Sequence, residues 1–153
     1  LILAPSGTGK TTLLREVVRR LSSGVDGPPL RVGLADERGE VAALWQGVPQ
    51  FDVGRHTDIL DGCRKAQGLS ILLRGMNPQV LAADEITDPA DVRAVEEAAG
   101  CGVALLATAH GGSVTDLRRR PVYRALLDCG VFRRVVVMER RGTTRIARME
   151  ALS

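Results

Sequence analysis

Aromatic residues are scarce in this sequence of 153 residues, of which they make up only 3%. A folded core must therefore be built from aliphatic side chains, which dominate the hydrophobic 44% of the chain. The scarcity also argues against a protein that binds single-stranded nucleic acid, because such proteins stack bases on aromatic rings. The aromatic residues are Trp45, Phe51, Tyr123 and Phe132.

Cysteines are few as well, and long apolar runs are absent. The thiols Cys63, Cys101 and Cys129 are odd in number and widely spaced, which excludes a disulfide framework and a zinc knuckle. We interpret them as buried or idle thiols of a reducing compartment. No apolar run approaches the roughly 18 residues of a membrane-spanning helix. These absences exclude the disulfide-stapled, transmembrane, collagen-like and disordered classes of protein.

A strong excess of one charge is also lacking. The 21 basic residues against 18 acidic residues leave a net charge of +3, which is too small to indicate nucleic-acid binding by itself. Lys10 and Lys65 are the lysines, and the remaining basic residues are arginines. Such a bias is more typical of a GC-rich genome than of a particular chemistry.

The length predicts one domain with a core of its own. The chain begins with the apolar run Leu1-Ile2-Leu3 and has no initiator methionine. We therefore expect residues 1–153 to be a single domain of a longer protein whose N-terminal part is missing from this sequence.

Apolar runs of strand length alternate with segments of helical periodicity along the chain. This alternation predicts an α/β fold with a mostly parallel sheet that is covered by helices on both faces. The last two strands, joined by a tight turn, should form an antiparallel hairpin at one edge. Strands are predicted at 1–3, 31–35, 80–83, 103–107, 131–139 and 143–150, and helices at 11–21, 57–65, 69–76, 88–99, 113–119 and 122–128.

A glycine-rich turn separates the first predicted strand from the first predicted helix. It matches the phosphate-binding pattern G-x-x-x-x-G-K-[ST], with Ala4 in place of the first glycine. Gly7 and Gly9 let the backbone turn its N–H groups towards a phosphate, and the helix start adds the positive end of its dipole. Lys10 would reach the β- and γ-phosphates of ATP, and the Thr11 hydroxyl would bind Mg²⁺.

The alternative interpretation of this segment is an ordinary glycine-rich turn in which the lysine is coincidental. The strand before the turn and the helix after it favour the phosphate-binding interpretation. The predicted nucleotide-binding residues are Pro5, Ser6, Gly7, Thr8, Gly9, Lys10, Thr11 and Thr12.

Two acidic residues, Asp84 and Glu85, come directly after the apolar strand predicted at 80–83. A phosphate-binding loop needs such an acidic partner, because Mg²⁺ and the attacking water both require carboxylate oxygens. Asp84 is predicted to hold Mg²⁺ through water, and Glu85 to act as the general base. The alternative is that both acids cap the next helix or face solvent.

Polar residues also follow two other predicted strands, at 36–40 and at His110. In an open α/β sheet, ligands bind beyond the carboxyl ends of the strands, so these residues should face one crevice. Glu37 and Glu40 are candidates to orient water or metal, Arg38 could pair with a carboxylate, and His110 could sense the γ-phosphate. For each residue alone, a helix cap or a surface ion pair remains an alternative.

Arginines supply a further set of candidates. A ring-shaped ATPase takes an arginine from a neighbouring subunit to stabilise charge on the transferring phosphoryl group, and Arg55, Arg64 or Arg74 could serve in that role. The run 118–120 could touch lipid headgroups or nucleic acid. Ordinary solvated arginines are the alternative in both cases.

The ordered set of motifs resembles the stage III sporulation protein AA family over nearly the whole chain. That family is similar to the type II and type IV secretion ATPases, in which an acidic box, a Walker B segment and a histidine box surround the nucleotide. Here these correspond to Asp36–Glu40, to Asp84 and Glu85, and to His110. The motifs that carry the resemblance lie at 4–15, 36–40, 47–50, 57–63, 65–66, 77–78, 84–86, 108–111 and 114–121.

The resemblance implies a RecA-like P-loop NTPase that hydrolyses ATP with Mg²⁺. It implies a motor or assembly ATPase of endospore-forming bacteria, docked on the membrane-embedded sporulation channel between mother cell and forespore. The protein would be a hexamer in the mother-cell cytoplasm, peripheral on the inner face of the membrane, with Glu85, Glu37 and His110 as catalytic residues.

The chain departs from the family pattern at three positions. Gly39 stands where serine is common, Arg64 where proline is usual, and His56 where an arginine precedes the Thr57-Asp58 pair. These departures weaken the expectation of an arginine finger from this segment.

Two other functions stay open from the residues alone. One is a RecA-like ATPase that nucleic acid stimulates, although the scarcity of aromatic residues argues against it. The other is a nucleotide-gated assembly module that binds ATP with little turnover.

Overall fold

The computed structural model describes residues 1–152, within which strands and helices alternate. The strands are β1 (Ile2–Ala4), β2 (Val32–Asp36), β3 (Leu44–Trp45), β4 (Val48–Pro49), β5 (Thr57–Asp61), β6 (Val80–Ala83), β7 (Ala104–His110), β8 (Arg134–Arg141) and β9 (Thr144–Ala151). The helices are α1 (Lys10–Ser23), α2 (Lys65–Gly75), α3 (Pro89–Gly100), α4 (Val114–Arg118) and α5 (Pro121–Asp128).

One seven-stranded sheet organises the fold, in the order β5-β2-β6-β7-β1-β8-β9. Neighbouring strands from β5 to β8 in that order run parallel, and β9 returns antiparallel to β8 as an edge hairpin. The predicted mostly parallel sheet and its C-terminal hairpin are confirmed. Because β1 lies between β7 and β8, the loop after β1 emerges inside the sheet rather than at an edge.

Both faces of the sheet are covered, which explains why its strands are near-continuous apolar runs. Successive residues of a strand point to opposite faces, so Ile2 packs with Leu14 and Val18 of α1 on one face. Leu3 packs on the other face, in the cluster to which α2, α3 and α5 contribute. Full burial of each such aliphatic side chain contributes roughly 1.5–3 kcal/mol.

The helix predicted at 57–65 is wrong. Residues Thr57–Asp61 form the edge strand β5, which pairs in parallel with Val32–Asp36. The segment is polar because an edge strand is only half-buried, and Thr57 and Ile59 suit a pleated surface. The helix predicted from residue 69 begins earlier, at Lys65, and the short strands β3 and β4 pair in a segment where no strand is predicted.

Helix α2 approaches β2 very closely, and glycine permits the approach. A Cβ atom built on Gly33 would lie 2.7 Å from Leu81 Cδ2 and 3.2 Å from Leu72 Cβ. Any side chain larger than glycine at position 33 would therefore displace Leu81 or Leu72.

Within residues 1–152, every helix falls short of the length and apolar content that crossing a bilayer requires.

We predict that Gly33→Val lowers the free energy of unfolding by about 1–3 kcal/mol, because the added methyl groups overpack the interface between α2 and β2. Denaturant unfolding of the parent and variant measures the effect. Gly75→Ala is the control, since a Cβ atom at Gly75 meets no atom within 4 Å beyond its chain neighbours and the backbone of its own helix. An unchanged midpoint for Gly33→Val would contradict the close packing described here.

Candidate active site

Three neighbouring strands bring the predicted site residues to one edge of the sheet. Strands β6, β7 and β1 lie side by side, and their carboxyl ends lead to Asp84, to His110 and to the glycine-rich loop. The chain runs from β1 through this loop directly into α1. These three segments therefore meet at one edge of the sheet, where the sequence predicts a crevice.

The loop between β1 and α1 has the backbone geometry that its glycines permit. Gly7 and Gly9 have φ angles of 73° and 99°, values that other residues adopt only with strain. Gly9 is the N-cap of α1 and supplies no side-chain cap. The first N–H groups of α1 therefore lack the partner that a capping side chain would give, which leaves them available to an anion.

A chain of hydrogen bonds joins α1 to the acids that follow β6. The Thr11 hydroxyl donates to Asp84 Oδ2 at 3.0 Å, and the Thr108 hydroxyl donates to Asp84 Oδ1 at 2.6 Å. The Glu85 N–H in turn donates to Thr108 Oγ1 at 2.7 Å. Two hydroxyl groups therefore fix both oxygens of the Asp84 carboxylate at the start of α1.

Glu85 has an unusual backbone conformation. Its φ angle of 42° lies in the left-handed region, which non-glycine residues adopt at a cost of about 1–3 kcal/mol and which occurs preferentially at functional sites. The hydrogen bond to Thr108 holds the Glu85 N–H in this conformation. The carboxylate of Glu85 is half-buried beside Asp84.

His110 lies beside the glycine-rich loop, where its Nδ1 atom is 3.4 Å from Ser6 Oγ. The Arg120 guanidinium donates to the His110 carbonyl and to Asp116 Oδ2. It also lies 4.4 Å from the centre of the Tyr123 ring. Burial raises the pKa of Tyr123, so the ring under this cation stays uncharged at neutral pH.

Arg120 is therefore half-buried, with its guanidinium group engaged within the chain. A Cβ atom on Gly111 would lie 2.7 Å from Arg120 Nη2, so the glycine after His110 makes room for the guanidinium. Arg118 pairs with Asp128 at 3.4 Å. These contacts give Arg120 a role in holding the backbone at His110.

The predicted acidic box divides into two parts. Asp36 is buried, and its oxygens accept the N–H groups of Val41 and Ala42 at 3.1 and 2.9 Å. This carboxylate therefore fixes the turn after β2, and Asp36 also lines the small recess beside Asp84 and Glu85. Arg38 pairs with Glu40 at 4.0 Å, in exposed positions.

Glu37 shares a small recess with Asp84 and Glu85, which Asp36, Arg38 and Glu40 of this box also line. Glu37 accepts a hydrogen bond from Lys65 Nζ at 3.3 Å, and Lys65 lines the same recess. The side chain of Lys65 is only 7% exposed and lies 3.8 Å from Asp91 Oδ2. A buried ammonium group needs such carboxylate partners. The Lys65 ammonium group in turn holds the Glu37 carboxylate in place.

The arginines considered for action on a neighbouring subunit lie at different places in the fold. Arg64 comes directly before α2, on the same side as Glu37. Arg55 is exposed ahead of β5, and Arg74 pairs with Glu97 at 3.1 Å near the end of α2. His56 is tied to the end of α1, with its Nδ1 atom 2.9 Å from the Ser22 carbonyl oxygen.

A separate hollow of about 640 Å³ lies beyond the segment Glu37–Gly39, between the β3–β4 hairpin and β5. Leu44 and the exposed Trp45 contribute its apolar wall, and Asp61 lies on the other side. The glycine-rich loop and Asp84 are not among its lining residues.

Comparison with known proteins identifies the family. The sequence profile described as Sporulation stage III, protein AA matches residues 1–148. The Stage III sporulation protein AA of Bacillus subtilis (strain 168) is 41% identical over 141 residues. The chain belongs to the sporulation stage III, protein AA family. The predicted resemblance is therefore confirmed.

The matches to curated members and relatives are partial in length. The aligned part covers 92% of this chain and 46% of the Bacillus subtilis protein. The Uncharacterized protein ycf45 of Porphyra purpurea is 30% identical over 129 residues, which cover 83% of this chain and 22% of that protein. This member of the protein AA family therefore spans less than half the length of these relatives.

Solved structures share the fold at low sequence identity. The VirB11 ATPase of the Brucella suis type IV secretion system, solved with sulphate, has a TM-score of 0.68 at 19% identity, covering 98% of this chain and 47% of that chain. The pilus retraction motor PilT, solved with ADP, has a TM-score of 0.67 at 16% identity, covering 99% and 46%. The protein AA chain therefore has the fold of secretion ATPases, as predicted.

The residues of the protein AA site fit a magnesium ion bound together with phosphates. No group of three histidine, cysteine, aspartate or glutamate residues in the described part of the chain could hold a metal alone. Mg²⁺ is typically bound by one or two protein oxygens, with water and substrate phosphates completing its shell. Thr11 and Asp84, whose oxygens are 3.0 Å apart, supply such a pair.

Two contributors to this site, Lys65 and Thr108, carried no predicted role. Each acts through a partner distant in sequence, which no local pattern reveals. Lys65 was nevertheless detectable as one of the two lysines of the chain. Thr108 was detectable as a hydroxyl residue at the end of an apolar strand.

We predict that Thr108→Val lowers the free energy of unfolding by about 2 kcal/mol, because it leaves the Glu85 N–H and Asp84 Oδ1 without a partner in a half-buried place. Thr108→Ser keeps the hydroxyl and should stay within about 1 kcal/mol of the parent. Denaturant unfolding measures both. If valine is as stable as serine at this position, the hydrogen-bond chain does not hold the acids.

Proposed function

We propose that this chain binds Mg-ATP at the loop between β1 and α1 and hydrolyses it. The observation that carries the proposal is the contact of Thr11 Oγ1 with Asp84 Oδ2 at 3.0 Å. It joins a glycine-rich loop ending in Lys-Thr to a carboxylate at the end of a neighbouring strand. That combination is the one by which P-loop NTPases bind a nucleotide with its metal.

The phosphates would be bound by the loop backbone and Lys10. The left-handed Gly7 and Gly9 turn the loop around the start of α1, whose free N–H groups attract negative charge. Residues Pro5 to Thr12 would enclose the phosphates, with the Lys10 ammonium group at the β- and γ-phosphates. Thr11 and Asp84 would hold Mg²⁺, which when bound offsets the phosphate charge.

Glu85 would act as the general base. Its carboxylate is half-buried next to Asp84, and its strained backbone is fixed by Thr108, which orients the side chain before substrate binds. The carboxylate would accept a proton from the water that attacks the γ-phosphate. Glu37, held by Lys65, lines the same recess and would orient that water.

His110 would report the state of the γ-phosphate to the rest of the chain. Its ring lies beside Ser6, and its carbonyl is held by Arg120 from the start of α5. A change at the phosphate could therefore move α4 and α5. We propose that this movement acts on a neighbouring subunit of a hexamer.

The family supports a biological setting for this activity. A sporulation protein with the fold of secretion ATPases would work as a motor or assembly ATPase on membrane-embedded channel proteins between mother cell and forespore. We propose that residues 1–153 are its RecA-like ATPase domain, acting from the mother-cell cytoplasm at the inner face of the membrane.

We predict that Glu85→Gln lowers kcat for ATP about 100-fold or more, because a general base contributes at least that much, while the Kd for ATP stays within about twofold. Lys10→Ala should instead raise the Kd for ATP at least about tenfold. Phosphate release and nucleotide titration on the full-length protein measure both constants. Glu96→Gln, an exposed acid on α3, is the matched control.

The same measurements separate the alternatives. ATP binding without turnover in the parent protein would favour the nucleotide-gated assembly module. A rate that rises strongly with single-stranded DNA or RNA would favour the nucleic-acid-stimulated ATPase. Equal ATP affinity in the parent and Lys10→Ala would contradict the proposed binding site.

A further inference from the structure

The C-terminal hairpin brings an arginine against the glycine-rich loop. Strand β8 lies next to β1, with Leu3 paired to Val137, and it continues to Arg141. Since β1 ends at Ala4, the last residues of β8 extend past it, alongside the loop. Strand β9 starts opposite this extension, with Arg145 paired to Arg140.

The guanidinium group of Arg145 lies over Gly9. A Cβ atom built on Gly9 would be 3.1 Å from Arg145 Nη1 and 3.3 Å from its Cζ. The planar group is therefore in contact with the residue that caps α1. The acids Asp84 and Glu85 approach the same loop from the other side, because β6 and β7 lie across β1 from the hairpin.

No carboxylate within residues 1–152 pairs with Arg145. Two other arginines of the hairpin do have such partners, since Arg141 pairs with Glu139 at 2.9 Å and Arg148 with Glu150 at 2.7 Å, whereas Arg140 donates to the Gly142 carbonyl. Arg145 instead lies against Gly9 at the positive end of α1, and Lys10 is the residue that follows Gly9. Like charges this close are unfavourable unless an anion lies between them.

We propose that Arg145 is a ligand for the α- and β-phosphates of the nucleotide, supplied by the same chain that carries the loop. The inference rests on the proposed function and extends it to a residue outside the motifs. Gly9 lies in the part of the loop whose N–H groups bind the α- and β-phosphates, whereas the lysine reaches the β- and γ-phosphates. Arginine presents a planar fork of donors that fits phosphate oxygens.

This position determines which constants Arg145 affects. Because ADP and ATP share the α- and β-phosphates, the residue should strengthen the binding of both. It should contribute little to the hydrolysis step, since it lies on the side of the loop away from Glu85. An arginine that stabilises the transferring phosphoryl group would show the opposite pattern, with a loss in kcat.

Titration of the full-length protein with fluorescent ADP and ATP analogues tests the proposal. Arg145→Ala should raise the Kd for both nucleotides about tenfold, with kcat at saturating ATP within about twofold of the parent. The Kd values of Arg145→Lys should lie between those of the parent and those of Arg145→Ala, since lysine keeps the charge without the planar fork. Arg148→Ala, which removes an exposed positive charge from the same strand, should leave both Kd values unchanged.

Each outcome decides between the proposals. If the parent binds nucleotide and Arg145→Ala binds it equally well, Arg145 is not a phosphate ligand and the proposed function stands. If Arg145→Ala loses kcat at an unchanged Kd, the residue acts on the transferring phosphoryl group and the proposal is wrong. If the parent itself binds no nucleotide, both proposals fail. Arg145 is exposed, and circular dichroism confirms that the variants remain folded.

Discussion

The position of the Asp84 carboxylate is the constraint on which the rest of the site depends. One of its oxygens accepts the Thr11 hydroxyl from α1, and the other accepts the Thr108 hydroxyl from β7. These two hydrogen bonds join the helix after the glycine-rich loop to two strands of the sheet. Without them, the loop and the acids would share an edge of the sheet but would not be held at a fixed separation.

Charge is distributed around the loop according to strand order. The strands on one side, β6 and β7, contribute carboxylates and His110, and the hairpin β8–β9 on the other side contributes Arg145. The buried Lys65 balances Glu37 and Asp91 behind the acids. The arrangement leaves positive charge at the loop and negative charge across from it, which suits a phosphate chain with its metal ion.

Local patterns were sufficient to predict the parts of the fold and site that depend on neighbouring residues in the chain. The glycine-rich loop, the acids at 84–85 and the alternation of strands with helices all belong to this class. Strand β5 was mistaken for a helix because its pairing with β2 decides its conformation. Thr108, Lys65 and Arg145 acquire their roles only through contacts with residues far away in sequence, which no local pattern reveals.

The most direct measurement is a crystal structure of the full-length protein with Mn²⁺ and a non-hydrolysable ATP analogue, in which anomalous scattering locates the ion. The account predicts phosphates in the loop between Pro5 and Thr12, with the ion at Thr11 and Asp84. Nucleotide bound elsewhere, such as in the hollow beside Trp45, or an ion remote from Asp84, would contradict it.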